Sequence, residues 1–145
     1  MRIYAFADEA SPAIDGQIAA MRRNGLNGLE IRGVDGENVS TISLEKAKEV
    51  RRKLDDAGLC TWSIGSPIGK IGIEDDFAPH FEKFKRAVEI AKKLHTQRIR
   101  MFSFYIQEGK HTEIYHDNVI ERIRKMVDYG DANGVHRCHQ NEKGI

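Results

Sequence analysis

Three stretches of this chain end in the same way. Asn24-Gly25-Leu26, Ala57-Gly58-Leu59 and Asn133-Gly134-Val135 each close an amphipathic run with a glycine and then open an apolar one. Glycine takes the left-handed turn that ends a helix without a Cβ penalty, and the apolar residue after it starts the next strand. The glycines stand 33 and 76 residues apart, the second interval being two units of 38, with the skipped stop at Leu94-His95-Thr96-Gln97. A strand-plus-helix unit recurring at this period predicts parallel strands joined by right-handed helical crossovers.

The units can be followed along the chain. The apolar run over residues 2–7 predicts a first strand, and Ser11-Pro12 a helix start, with serine as N-cap and proline at the first helical position. Ile14, Ile18 and Met21 give that helix a buried stripe. Leu29 to Arg32 predicts the second strand, and Ser43 caps a helix buried through Ala47, Val50, Leu54 and Ala57. Cys60 to Ile64 forms the third strand and leads into the glycine-rich loop Gly65-Ser66-Pro67-Ile68-Gly69-Lys70-Ile71-Gly72. Phe77, Phe81, Phe84, Val88, Ala91 and Leu94 mark the most strongly periodic helix. A fourth strand over 98–105, a helix buried through Val119, Ile120, Ile123, Met126 and Val127, and a fifth strand after Gly134 complete the pattern.

Two architectures share this period. A flavodoxin-like open sheet of five strands fits 145 residues. A closed eight-stranded barrel takes about 250 residues, so this chain would supply half of one. The strand faces favour the barrel: Leu29 and Ile31 lie opposite Glu30 and Arg32, and Ile99 and Met101 opposite Arg98 and Arg100. Strands buried between two helical layers are apolar on both faces, whereas a barrel lumen accepts paired charges. The expected fold is α/β, a half TIM barrel of four βα units plus a fifth strand in one domain over residues 1–145, with the open sheet as the alternative. Such a half-barrel exposes two sheet edges and its lumen, which predicts a homodimer, or assembly with a missing C-terminal half-barrel.

Composition narrows the partners. Lys and Arg number 23 against 22 Asp and Glu, so no overall field favours nucleic acid or an anionic membrane. No apolar run approaches the roughly 20 residues of a membrane helix, and no apolar leader precedes Asp8-Glu9, which gives a cytoplasmic expectation. Cys60 and Cys138 are expected as small buried hydrophobes in a reducing compartment, and Trp62 as part of the core. His136 and His139 stand three apart on a strand and so face opposite ways. His80, His95, His111 and His116 are expected to be solvated.

Certain longer motifs carry a family likeness. Phe6-Ala-Asp-Glu, Gly28-Leu-Glu-Ile-Arg-Gly33, Trp62-Ser-Ile-Gly-Ser-Pro-Ile-Gly-Lys70, Arg98-Ile-Arg-Met-Phe-Ser-Phe-Tyr105 and Asn141-Glu-Lys-Gly-Ile145 resemble the sugar phosphate isomerase/epimerase family of xylose isomerase-like TIM barrels. The resemblance spans the whole chain and the N-terminal half of that fold. It implies a divalent-metal enzyme, using manganese or magnesium, that moves a proton between neighbouring carbons of a ketose or aldose. The family's metal ligands lie at the C-terminal ends of strands five to eight, and this chain reaches only the first of them. There Gln140 stands where relatives carry a glutamate. Arg137 replaces a usual apolar residue, and His95 the glycine of the fourth helix stop.

Hard divalent cations are held by carboxylate charge, and Gln140 offers only a neutral carbonyl, so Gln140 is a degenerate ligand position and tight metal binding is not expected. Ser66, Lys70, Ser103, Tyr105 and Glu142 are the substrate-side candidates. They fall at C-terminal strand ends or in the following loops, the face where barrel enzymes place ligands, and hydroxyls and amides suit a small sugar. The glycine-rich loop with Lys70 also admits a phosphate, but lacks P-loop spacing. Glu30, Arg32 and Arg100 are expected to form an ion-pair cluster. The function expected is the N-terminal half of a sugar (phosphate) isomerase/epimerase without a complete catalytic site. The alternative is a non-catalytic sugar- or phosphate-binding module. Relatives that cut DNA at abasic sites use additional ligands and a basic groove that this sequence does not show.

Overall fold

The computed structural model describes residues 1–141. Along the chain come β1 (Tyr4–Ala5), α1 (Ile14–Arg23), β2 (Gly28–Ile31), a small hairpin of β3 (Gly33–Val34) and β4 (Glu37–Asn38), α2 (Leu44–Asp56), β5 (Cys60–Gly65), α3 (Phe77–Lys93), β6 (Arg98–Met101), a 3-10 turn (Thr112–Tyr115), α4 (His116–Ala132) and β7 (His136–His139). The main sheet is β1-β2-β5-β6-β7, parallel throughout. Its spatial order is its sequence order, the arrangement of a barrel wall. A flavodoxin-like sheet would set its first strand between the second and third, so that alternative is overturned.

Side-chain period explains why the sheet carries helices on one face. Leu29, Ile31, Ile64, Ile99 and Met101 point outward and are at most 2% exposed, packed with Met21, Val50, Leu54, Phe84, Val88 and Met126 in one core. Each such side chain contributes about 1.5–3 kcal/mol on leaving water. The other face carries Tyr4, Glu30, Trp62, Arg98 and Arg100, and a cavity of about 700 Å³ opens there, lined by Arg2, Tyr4, Phe6, Glu30 and Trp62 among others. This is the lumen side. No helix among the described residues is long and apolar enough to cross a membrane.

The shared helix stop is built as the sequence predicts. Gly25, Gly58 and Gly134 have φ of +66°, +69° and +69°. Leu26, Leu59 and Val135 each donate to the carbonyl five residues back, at 3.0, 2.9 and 2.9 Å. The fourth stop follows the same plan with His95 at φ +54° and Thr96 donating to Ala91 at 3.0 Å. Ser43 caps α2 by accepting from the Lys46 amide at 3.0 Å.

Elsewhere the structure departs from expectation. α1 starts at Ile14, and its first amide is taken by Asp35 Oδ1 at 2.8 Å, a cap supplied by the β3–β4 hairpin rather than by Ser11. β6 ends at Met101. Beyond it the backbone pairs with the third loop, Phe102 donating to Ile68 and Tyr105 to Ile71, each at 2.8 Å. The pairing of β2 with β5 shifts register, leaving Trp62 as the extra residue of a bulge. Trp62 is therefore not in the core: it is 37% exposed, stacked on Tyr4 at 4.4 Å and lying under Arg98 at 3.8 Å. Cys138, expected to be buried, is exposed on the lumen side opposite Arg100, and Cys60 is half-buried.

Candidate functional site

The C-terminal ends of the parallel strands bring several polar side chains to one mouth. Arg32 follows β2, Ser66 and Lys70 follow β5, Arg100 lies in β6 and Gln140 follows β7; with Asn38 they line a cavity of about 460 Å³. Gly65 makes the crowding sterically feasible, since a Cβ there would stand 2.6 Å from Arg32 Cγ and 3.2 Å from Arg100 Nη2. Arg32 lies 4.2 Å over the Phe6 ring. It donates to Asp8 at 2.9–3.1 Å and to Glu9 at 2.9 Å, and these contacts hold its pKa above the ordinary arginine value. Arg100 Nε stands 3.3 Å from Glu30 Oε1, and its Nη1 donates to Gln140 Oε1 at 2.7 Å. The expected three-membered cluster is thus divided: Glu30 serves Arg100, and Arg32 turns to Asp8 and Glu9.

The loop over this mouth is fastened from two sides. Ser66 Oγ donates to the Arg100 carbonyl at 2.5 Å and accepts from the Ile68 amide at 3.3 Å. His80 Nε2, on α3, accepts from the Gly69 amide at 2.8 Å. His80 is 6% exposed rather than solvated. Burial, with help from Lys83 and Arg122, lowers its pKa below the usual imidazole value. The neutral ring therefore keeps Nε2 as an acceptor, and its proton belongs on Nδ1. Lys70 Nζ is held 4.3 Å over the Phe102 ring.

The structure gathers some of the predicted site residues and separates others. Ser66, Lys70 and Gln140 meet at the mouth. Ser66 is fully buried, and its hydroxyl ties the loop to β6. Ser103 is not brought there: it lies on the helical side of the sheet, with Oγ 2.5 Å from His139 Nε2. Tyr105 is 40% exposed and engages the third loop through its backbone, outside the mouth lining. Glu142 lies outside the described residues. Arg32, Asn38 and His80 were not singled out as site residues. Arg32 carried a signal, a charge on the lumen face of a strand; a loop asparagine and a helical histidine carry none. His136 and His139 do face opposite ways, one paired with Arg98 and the other with Met101.

The described residues of this mouth do not fit a divalent ion as they stand. The ligand-position oxygen of Gln140 accepts from a guanidinium, whose charge would repel a metal cation. Among the described residues no three His, Cys, Asp or Glu side chains are grouped to hold one.

A wall of parallel strands in sequential order, helices outside and a polar mouth at the C-terminal ends, defines one half of a TIM barrel. The chain belongs to the xylose isomerase-like TIM barrel family, whose model matches residues 18–144. No curated protein matches it significantly. Among solved structures it is similar to the probable 3-DHS dehydratase AsbF of Bacillus anthracis, with 18% identity, a TM-score of 0.76 and coverage of 96% of this chain and 52% of that one. It is also similar to the 3-keto-D-glucoside 4-epimerase YcjR of E. coli, with 12% identity, a TM-score of 0.75 and coverage of 100% and 58%. A xylose isomerase-like protein of Mycobacterium smegmatis, solved in complex with magnesium, gives 16% identity, a TM-score of 0.70 and coverage of 99% and 55%. The chain spans about half the length of the solved structures it matches.

Proposed function

We propose that this chain supplies the substrate-side half of a sugar isomerase/epimerase barrel, and that its covering partner supplies the divalent-metal centre. The observation that carries this reading is the mouth itself: Asn38, Lys70, Arg100 and Gln140 converge at the C-terminal ends of parallel strands, where barrel enzymes bind substrate. Amides and cations of this kind hydrogen-bond a polyol along its hydroxyls and accept an anionic group at one end. The family and the sugar epimerase among the structural neighbours support a small carbohydrate as the ligand. In this reading Gln140 holds Arg100 in place and does not ligate metal.

The open lumen and the edges at β1 and β7 call for a cover, either a second copy of this chain or a complementary half-barrel. A non-catalytic carbohydrate-binding module is the second reading, favoured by the contact between Arg100 and Gln140. The test combines metal and turnover. Manganese or magnesium is titrated into the chain and into Gln140→Glu, with solvent-deuterium exchange into fructose and tagatose, free and phosphorylated, as the activity readout. The expected result is ketose binding without metal and no exchange by the chain alone. Metal-dependent exchange by the unaltered chain would overturn the division of labour. Tight metal binding by Gln140→Glu alone would favour the catalytic half over the binding module.

A further inference from the structure

Two carboxamides at the mouth are each locked in one orientation. Asn38 Oδ1 accepts from the Ser40 amide at 2.9 Å and from the Ser40 hydroxyl at 2.6 Å. Gln140 Oε1 accepts from Arg100 Nη1 at 2.7 Å. A backbone N–H and a guanidinium can only donate, so the oxygen of each amide must face its anchor and neither group can flip. What each side chain has left to offer is its NH2, Nδ2 of Asn38 and Nε2 of Gln140. Neither NH2 has a hydrogen-bond partner among the described residues. Both residues are exposed, and both line the same cavity of about 460 Å³.

The rest of this wall has the same character. Its charged members, Arg32, Lys70 and Arg100, carry N–H donors and no acceptor. Among the described residues its side-chain oxygens belong to Asn38, Ser66 and Gln140, and each of these already accepts a hydrogen bond. The carboxylates that pair with the arginines open elsewhere, Glu30 onto the lumen and Asp8 onto a neighbouring cavity. No Asp or Glu lines the mouth among the described residues. A neutral polyol brings hydroxyl hydrogens as well as lone pairs, and this wall has little to accept them with. An anionic group brings lone pairs alone, and a wall of donors therefore distinguishes the two.

We propose that the mouth holds its carbohydrate by an anionic group, a carboxylate or a phosphate, whose oxygens accept from Asn38 Nδ2 and Gln140 Nε2, and that it discriminates against neutral sugars. The proposal rests on reading the mouth as the substrate side of a barrel, and it specifies the ligand class of that site. Hydrogen bonds to an ionised acceptor are roughly twice as strong as neutral ones, so the same two amides favour the anion over a hydroxyl. Gln140 thereby acquires a role that a glutamate would not fill. A carboxylate at this position would keep one oxygen on Arg100 and set a second, charged oxygen where Nε2 stands, repelling an anionic ligand.

The test uses the whole chain, with fructose, fructose 6-phosphate, gluconate and inorganic phosphate as probes. Affinity is measured by calorimetry, and the side-chain NH2 resonances of Asn38 and Gln140 are followed by nuclear magnetic resonance. At least one of the two anionic sugars is expected to bind roughly tenfold more tightly than fructose, with saturable shifts of both NH2 groups. Preference for fructose 6-phosphate, with inorganic phosphate as a competitor, assigns a phosphate; preference for gluconate assigns a carboxylate, and either supports the proposal. Gln140→Glu and Asn38→Asp keep an oxygen for the anchor and exchange the NH2 for a charged oxygen. Each should weaken the preferred anionic sugar far more than fructose. The NH2 resonances of the unaltered chain keep the test decisive if a variant misfolds. Fructose binding as tightly as both anionic sugars, NH2 resonances that saturating anion leaves unmoved, or variants that weaken every probe alike would overturn the proposal. Equal binding of the three sugars would sink it while the substrate-side reading stands. Inorganic phosphate shifting both NH2 groups while no sugar binds would remove the carbohydrate reading and leave the anion site.

Discussion

At the scale of single residues the backbone is more demanding than composition suggests. His95 performs at φ +54° the task that glycine performs at the other three stops. A non-glycine residue in that conformation costs about 1–2 kcal/mol against its preferred ones. His95→Gly is therefore expected to raise unfolding stability by about 1 kcal/mol, less than the full penalty because glycine loses more entropy on folding. Urea denaturation with an unchanged m-value measures it, and no gain would mean that the His95 side chain makes a compensating contact. Gly69 is the opposite case. It has φ +93°, and a Cβ there would collide with the Phe102 carbonyl oxygen. Gly69→Ala should destabilise by about 1–3 kcal/mol or displace the loop, seen as a lower urea midpoint.

At the scale of elements, the repeat was legible because its signals are local: a glycine stop, an alternating strand and a 3.6-residue stripe. What the sequence did not disclose depends on pairs distant along the chain. The α1 cap comes from Asp35, 21 residues from the amide it accepts, and Ser11 only looked like the cap because it stands before a proline. The Lys46 contact and the Ile14 amide hold the Asp35 carboxyl below its ordinary pKa. Asp35→Ala should cost about 1 kcal/mol, as loss of a helix cap does, and should expose the first-turn amides of α1 to hydrogen exchange. The clamp on the third loop behaves in a similar way. His80 is neutral in the fold and has a lowered pKa, so the unfolded chain binds a proton first as pH falls. Its stability contribution is complete above about pH 6.5 and is lost progressively as pH drops from there towards the lowered folded value. Protection of the Gly69 amide, corrected for intrinsic exchange, should decline over that interval. In His80→Gln, which keeps an acceptor and no titration, it should not.

For the whole molecule, the informative fact in the sequence was the polar second face of strands two and four, because that face separates a barrel wall from a sheet buried on both sides. It placed Glu30 and Arg100 correctly in the lumen, yet it could not foresee that a one-residue bulge would turn Trp62 there as well. The mouth was legible only in part. Residue type pointed to Lys70 and Gln140, but it passed over the alternation that gives Ser103 the parity of Ile99 and Met101 and so puts it on the helical side beside His139. Trp62 now becomes the natural reporter of assembly, since it is the single tryptophan of the chain, stands 37% exposed in the lumen and stacks on Tyr4 of the edge strand. A partner seated on the lumen, as proposed, would bury this ring. If the cover is a complementary half-barrel, the isolated chain scatters light as a monomer at micromolar concentration, and acrylamide quenches Trp62 equally at every dilution. If a second copy is the cover, mass doubles with concentration while quenching falls in step, because both report one association. A dimer in which Trp62 stays fully quenchable would place the contact on the helical face, and the lumen would then not be the surface through which this half-barrel is completed.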